Sequence, residues 1–423
     1  MALFRWIADK IFGQPKRDVS RLEGDDVELV EESVDLSGGP LKPGHQRRAL
    51  RDRRLLPKRK PSGFNPLSKP KRHFTKDEAA RLFSRSQRTG NRQIRDLLPD
   101  KEQLERQGLP FWENETELAE ALEVSLKELQ HFSIHRFRDR VNHYLTFRTP
   151  KRTGGERLIM APKRRLKALQ RKLLEQLLEK LSPPPYAHGF VKGRSVKTCA
   201  QQHLGKKVVV KFDLRDFFAT VTFPRVRGLF LSLGYGYPVA TTLALLTTGS
   251  PRQPVVVGDQ RYLVPMGERH CVQGAPTSPA ICNQVARKLD NRLNGLAGKL
   301  GFSYTRYADD LTFSGDQVDK VSRLMGAVGK IVVDEGFRLN RDKTRVMHQG
   351  SCQRVTGVVV NQVLGLSRKE RRRLRAQLHK LQNQDEPDPG ELAQARGKLA
   401  YLEMLNSEQA QALRAKFPLF EKR

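Results

Sequence analysis

Three clusters of residues in this chain could do chemistry together. Asp213 ends an apolar run, VVVKFD, that reads as a buried strand. Asp309 and Asp310 sit side by side in YTRYADDLTFSG, inside a strand–turn–strand pattern from Phe302 to Phe313. Gln273 to Pro279, QGAPTSP, is a Gly/Pro-rich turn that opens a helix. An isolated aspartate pair is usually a turn or a solvated surface. A pair on a hairpin that follows a strand-end aspartate is a stronger signal. Such carboxylates can converge on two Mg²⁺ ions, which take hard oxygen ligands and keep positions open for phosphate oxygens. Two ions so placed activate an attacking hydroxyl and stabilise the leaving oxygen of an in-line displacement.

The elements that must hold these groups mix strands and helices. From Tyr144, YLTFRTPKRTGGERLIMAPK reads as two strands around the turn Thr153-Gly154-Gly155. Arg164 to Leu181 is helical, with leucines spaced along one face, and Lys207 to Phe212 is the buried strand that delivers Asp213. The pattern predicts helices over Val239–Leu246, Pro279–Leu296 and Val318–Glu335, a hairpin over Val255–Val264 around Gly258-Asp259, and a strand over Arg354–Val360. Thr116 to Phe132 is helical with a turn near Val124-Ser125. This text also fits a DNA-reading helix-turn-helix, a pattern frequent by chance, and reads better as a helical pair that supports the segments after it. Ser367 and Glu370 form a capping box for a helix whose Leu374, Leu378 and Leu381 face inward. Its other face carries Arg368, Lys369, Arg371, Arg372 and Arg375, either a solvated surface or a helix laid along a nucleic-acid backbone.

Charge narrows the partner. The chain has 423 residues and a formal net charge of +32, most of it after residue 111, so a polyanion, most commonly nucleic acid, is the expected ligand. No apolar run approaches the ~20 residues needed to span a bilayer, which excludes a membrane span. The 4 cysteines form no CxxC, which fits a reducing cytosol and excludes a disulfide scaffold and a zinc knuckle. The first residues lack a signal-peptide pattern, so a cytoplasmic location is expected. Residues 1–12 place Leu3, Phe4, Ile7, Ala8, Ile11 and Phe12 on one helical face, packed in cis or on a partner. Residues 13–73, acidic and then basic and proline-punctuated, read as largely disordered linker, and a helix starts near Thr75 with Glu78 completing its cap.

Taken in order, FDLRDFF, QGAPTSP, YADD, the preceding HGFVKGRSV (188–196) and the following GFRLNRDKT (336–344) resemble the motifs of the reverse transcriptases, in particular the bacterial retron type. The resemblance covers roughly residues 112–420. It implies an α+β, right-hand polymerase fold: fingers, a palm with an antiparallel sheet, and a helical thumb; the N-terminal extension, partly disordered by its composition, lies outside the shared core and is not explained by the resemblance. The expected divisions are 1–111 extension, 112–206 fingers and start of the palm, 207–365 palm and 366–423 thumb. Asp213, Asp309 and Asp310 match the catalytic carboxylates and metal ligands, with the Leu214 carbonyl as a further ligand. Phe218 matches the steric gate whose ring fills the space of a ribose 2′-OH. Asp216 is given no catalytic role and reads as a structural turn acid. Lys151 and Arg157 match finger cations that hold the incoming dNTP triphosphate, and Gln273 and Gly274 the turn against nucleotide and template. Lys343 matches a proposed general acid to pyrophosphate, with a lysine at a strand end facing water the close second reading.

Val355-Thr356-Gly357 matches the VTG signature of retron enzymes, whose neighbourhood recognises the cognate RNA. The family's NAxxH signature meets Cys199-Ala200-Gln201-Gln202-His203 here, with Cys in the place of Asn, which puts any role of that Asn in doubt. Membership would imply binding of a structured noncoding RNA and DNA synthesis from a guanosine 2′-OH. The product would be a branched RNA–DNA hybrid, and the setting antiphage defence with a separate effector protein. Alternatives are another bacterial reverse transcriptase, group II intron-like or diversity-generating, or a non-catalytic RNA-binding protein on a polymerase fold.

Overall fold

The structure is a computed structural model that describes residues 98–133, 142–150, 156–257 and 260–420. The expected helix over 1–12, the linker 13–73, the helix start at Thr75, Lys151 with the Thr153-Gly154-Gly155 turn, and the Gly258-Asp259 turn lie outside the described residues.

Helix α1 (Lys101–Arg106) is capped by Asp100, whose carboxylate accepts from the Gln103 amide. Leu104 and Leu109 are buried in the main core, so residues 98–111 pack with the segments that follow them. Asn114 and Ser125 cap α2 (Glu115–Ala121) and α3 (Leu126–Phe132) by the same device. An antiparallel hairpin comes next, β1 (Tyr144–Pro150) with β2 (Glu156–Pro162), and then α4 (Arg164–Gln176). Lys172 and Gln176 of α4 donate to the carbonyls of Leu122 and Ala121 at the C-terminal end of α2, and Lys172 also pairs with Glu123. The α2–α3 pair is thereby docked as a brace, the preferred of its two expected roles.

Next come α5 (Val196–Gln201), β3 (Val208–Asp213), the short α6 (Phe217–Thr220), α7 (Phe223–Leu233) and α8 (Tyr237–Thr247). Sequence reasoning missed α7, although a proline in its first turn suits a helix start. The expected hairpin forms from β4 (Arg252–Val257) and β5 (Gln260–Pro265). The helix expected over Pro279–Leu296 is instead two, α9 (Ser278–Val285) and α10 (Arg287–Leu300), separated at Ala286. Then follow β6 (Phe302–Tyr307), β7 (Asp310–Gly315), α11 (Val321–Asp334) and β8 (Arg345–His348).

The single strand expected over Arg354–Val360 is also corrected. It is a tight hairpin, β9 (Arg354–Val355) with β10 (Val358–Val359), turned through Thr356 and Gly357 at φ 49 and 87. Two consecutive positive φ values match the right-handed twist of a two-residue hairpin. The chain closes with α12 (Arg368–Gln382), α13 (Pro389–Leu405) and α14 (Ser407–Lys416), which share their own apolar core around Leu374, Leu378, Leu399 and Phe420. The capping box of Ser367 and Glu370 is present as expected.

The central sheet is antiparallel in the order β6-β7-β3-β8. Val208, Val210 and Phe212 of β3 enter the main core, while Val209 joins Cys199, Ala200, Val355 and Val358 on the other face. Burial on both faces explains why this strand reads as a continuous apolar run rather than an alternating one. Among the described residues, no helix is long and apolar enough to cross a membrane.

Candidate active site

Strand register brings the aspartates together. Asp213, the last residue of β3, lies opposite Asp310, the first of β7, and Asp310 closes a two-residue hairpin with Tyr307 through Ala308 and Asp309. The Leu214 amide donates to the Asp309 carbonyl (2.9 Å), which ties the chain after Asp213 to this turn. Burial, then Asp310 and Asp213, push the Asp309 carboxyl up to about 6.

Two lysines balance the other carboxylates. The Lys343 ammonium lies 2.9 Å from Asp213 Oδ1 and the Lys211 ammonium 3.4 Å from Asp310 Oδ2. The segment 336–344 is brought here by backbone bonds: Asn340 donates to the Asp213 carbonyl and Arg215 to that of Arg338. The hydrogen bond to Asp213 raises the Lys343 pKa, so this side chain stays protonated, the form a proton donor needs. Among the described residues, no three His, Cys, Asp or Glu side chains form a closed cage for a metal ion. The site nevertheless suits divalent cations of the Mg²⁺ kind. Its donors are hard carboxylate oxygens, one of them with its pKa held high by burial and then by neighbouring negative charge, and such ions commonly take one or two carboxylates and complete their shell from phosphate and water.

The other expected site residues fall around this end of the sheet or out on the surface. Phe218 of α6 is half-buried, its ring 5.7 Å from that of Phe217 and 6.5 Å from that of Phe190. Asp216, exposed at φ 51, starts α6 and makes no side-chain cap. Arg157 is exposed on β2, opposite Thr149, while Lys151 lies outside the described residues. Gln273 accepts a backbone bond from Met160 of β2 (2.9 Å), so the QG turn is fastened to the hairpin that carries Arg157. A Cβ on Gly274 would meet the Met160 carbonyl oxygen at 2.8 Å, so this approach needs glycine.

The two retron signatures form one unit. Cys199 and Ala200 pack on Val355, Val358 and Val360. His203 is fully buried, with Nδ1 2.7 Å from Ser314 Oγ and Nε2 2.7 Å from Thr305 Oγ1, and Cys199 Sγ lies 3.2 Å from that same Thr305 hydroxyl. Burial holds His203 neutral, with its pKa pushed down to about 3. Val355, expected among the RNA-binding residues, is also fully buried, so its side chain faces the core. Of its neighbours in the motif, Thr356 is half-buried and Gly357 exposed. Arg368, Arg371, Arg372 and Arg375 are all exposed on α12.

Sequence reasoning missed a buried network behind the aspartate turn. Arg306 and Asp290 are both fully buried and paired through two 2.8 Å bonds, Nε to Oδ1 and Nη2 to Oδ2. Tyr304 donates to the same carboxylate (2.8 Å). The signal was available: alternation along β6 puts Arg306 on the same face as the buried Phe302 and Tyr304.

With this geometry in view, known proteins give an independent reading. Residues 149–360 match the family model described as reverse transcriptase (RNA-dependent DNA polymerase). The chain is 56% identical over 387 residues to the retron Mx65 reverse transcriptase of Myxococcus xanthus, covering 91% of this chain and 89% of that protein. The retron Mx162 reverse transcriptase of the same organism is 41% identical, with 77% and 70% covered. The retron Ec86 reverse transcriptase of Escherichia coli is 34% identical, with 64% and 79% covered.

Proposed function

The chain belongs to the reverse transcriptase family and to its retron type, and from that footing we propose that it copies part of a cognate structured noncoding RNA into DNA, starting from a guanosine 2′-OH and leaving a branched RNA–DNA hybrid. Its activity is RNA-directed DNA polymerisation on a right-hand polymerase fold, an activity for which this family uses divalent metal ions. The observation that carries the reading is the meeting of Asp213, Asp309 and Asp310 at one end of an antiparallel sheet, with Phe218 on the short helix that follows Asp213.

The roles follow from chemistry. Asp213, Asp309 and Asp310, with the Leu214 carbonyl, would hold two Mg²⁺ ions, which supply a lowered pKa for the attacking hydroxyl and neutralisation at the leaving oxygen. Lys343 keeps its proton beside Asp213 and gives it to the departing pyrophosphate. Arg157 and Lys151 meet the triphosphate tail with positive charge. The Phe218 ring excludes a ribose 2′-OH, so dNTPs are selected. Gln273 and Gly274 lie along nucleotide and template. Thr356, Gly357 and the arginine face of α12 bind the RNA and its hybrid. In this reading the protein works in the cytoplasm, keeps its product bound and acts in antiphage defence with a separate effector protein.

The test is the nucleic acid that copurifies with the protein from its native locus, compared with the Asp309→Asn/Asp310→Asn double variant. A DNA species joined to RNA through a 2′–5′ branch, sensitive to DNase, RNase and a debranching enzyme and absent from the variant, is the expected result. RNA alone in both samples would overturn the branch-primed reading.

A further inference from the structure

We infer that Arg306, clamped by Asp290 and Asn283, is the positioning residue of the catalytic turn and couples that turn to the wall beside the sugar gate. Ala308 adopts φ 57 at the first position of a two-residue hairpin, a left-handed conformation disfavoured for a residue with a Cβ. Such a conformation persists only where its surroundings over-determine it. Three contacts do so. Arg306 Nη1 donates to the Ala308 carbonyl (3.1 Å). Leu214 donates to the carbonyl of Asp309 (2.9 Å). Gly189 presses on the turn so closely that a Cβ there would stand 2.7 Å from the Ala308 nitrogen.

Arg306 joins two of these contacts. Its Nη1 also donates to Asn283 Oδ1 (2.8 Å), and Asn283 Nδ2 donates to the Gly189 carbonyl (2.9 Å). The Arg306 carbonyl itself accepts from His188 (2.7 Å). The loop through Gly189 ends at Phe190, exposed and at φ 59, whose ring faces that of Phe218 edge-on. The guanidinium also lies 5.6 Å from the ring of Phe217, the neighbour of the gate. One planar, five-donor group therefore fixes the carboxylate turn and the gate's surroundings together, and lysine, a point charge, cannot reproduce this fork.

Burying a full ion pair is no efficient way to stabilise a core, since apolar residues of similar volume often serve as well or better. That separates positioning from stability and supplies the test. It uses the full chain on a generic primer–template, so it rests on polymerase activity and stays decisive if branch priming fails. In the Arg306→Met/Asp290→Leu double variant we expect a melting temperature near that of the parent. The dNTP KM should change less than about threefold while kcat falls about a hundredfold, the scale of a misplacement near 1 Å. A folded double variant with parental kcat overturns the inference. Should it not fold, Asn283→Ala leaves the ion pair intact and decides the matter. Lower kcat together with weaker discrimination against rNTPs supports the coupling, and parental values of both overturn it.

Discussion

At the end of the palm sheet, Asp213, Asp309 and Asp310 crowd like charge into a partly buried corner, with a lysine against each of the outer two. Along α12, Arg368, Arg371, Arg372 and Arg375 spread like charge over an exposed face, on a helix whose buried side is built from leucines. Water screens the second arrangement and costs the fold little. The first is held by strand register, a left-handed alanine and a buried guanidinium. One region is therefore sensitive to every single atom, whereas the other sums small contributions. Substitutions at the palm should act on rate and be close to all-or-none, and substitutions on the thumb should act on affinity and be graded.

The strongest way to break that contrast is at Asp309. Asp309→Asn should lower metal-dependent dNTP incorporation by at least about a thousandfold, the scale at which removing one member of a catalytic unit acts, and leave RNA affinity within about twofold. Primer extension beside filter binding measures both. A variant that still extends primers at a tenth of the parental rate would remove Asp309 from the chemistry.

The legibility of the two regions differed for physical reasons. The carboxylates and the thumb's capping box could be read because each depends on local sequence: a strand end, a tight turn, a Ser–Glu spacing. The Arg306–Asp290–Asn283 network could not, since its members come from β6, α10 and α9 and meet only through tertiary packing. The same holds for β8, a short, largely exposed strand defined by pairing with β3 rather than by its own pattern. The stretch Arg354–Val360 was misread as one strand because it is rich in valine, while the turn lies in the backbone of Thr356 and Gly357.

A second palm substitution sharpens the comparison by changing selection rather than rate. Phe218→Ala removes a half-buried ring beside Phe217 and Phe190 and opens space where a 2′-OH would lie. We expect discrimination against rNTPs to drop by about a hundredfold, comparable to what an apolar pocket achieves against an added hydroxyl, with dNTP kcat less affected. Competition between dNTP and rNTP at one template position gives the ratio directly, and an unchanged ratio would show that the gate lies elsewhere.

On the thumb, Arg371→Gln with Arg375→Gln keeps helix-forming residues and removes two charges. Affinity for an RNA–DNA duplex should fall about thirtyfold near 0.1 M salt, and the slope of log K against log salt should shrink by about two, one for each phosphate no longer neutralised. Turnover at saturating template should stay at the parental value. A loss of turnover at saturation, with the slope unchanged, would erase the distinction between the two regions.

The smallest effect tests the crowding of charge itself. Burial, then the neighbouring carboxylates, raise the Asp309 carboxyl from its ordinary value of 3.8 to about 6 in the folded protein. Between those values the folded state binds the proton more tightly than the unfolded one, so this group makes stability fall as pH rises through the window, by on the order of 3 kcal/mol in all. A divalent cation opposes that loss only where Asp309 is ionised. Mg²⁺ compared with EDTA should therefore raise the melting temperature by about 2–4 °C at pH 7.5 and by much less at pH 5. Asp309→Asn should flatten this pH dependence, because it removes the carboxyl whose raised pKa produces it. Thumb variants, whose charges lie in solvent, should leave it as it is. Equal shifts at both pH values would mean that the cation stabilises the protein somewhere other than at the crowded carboxylates.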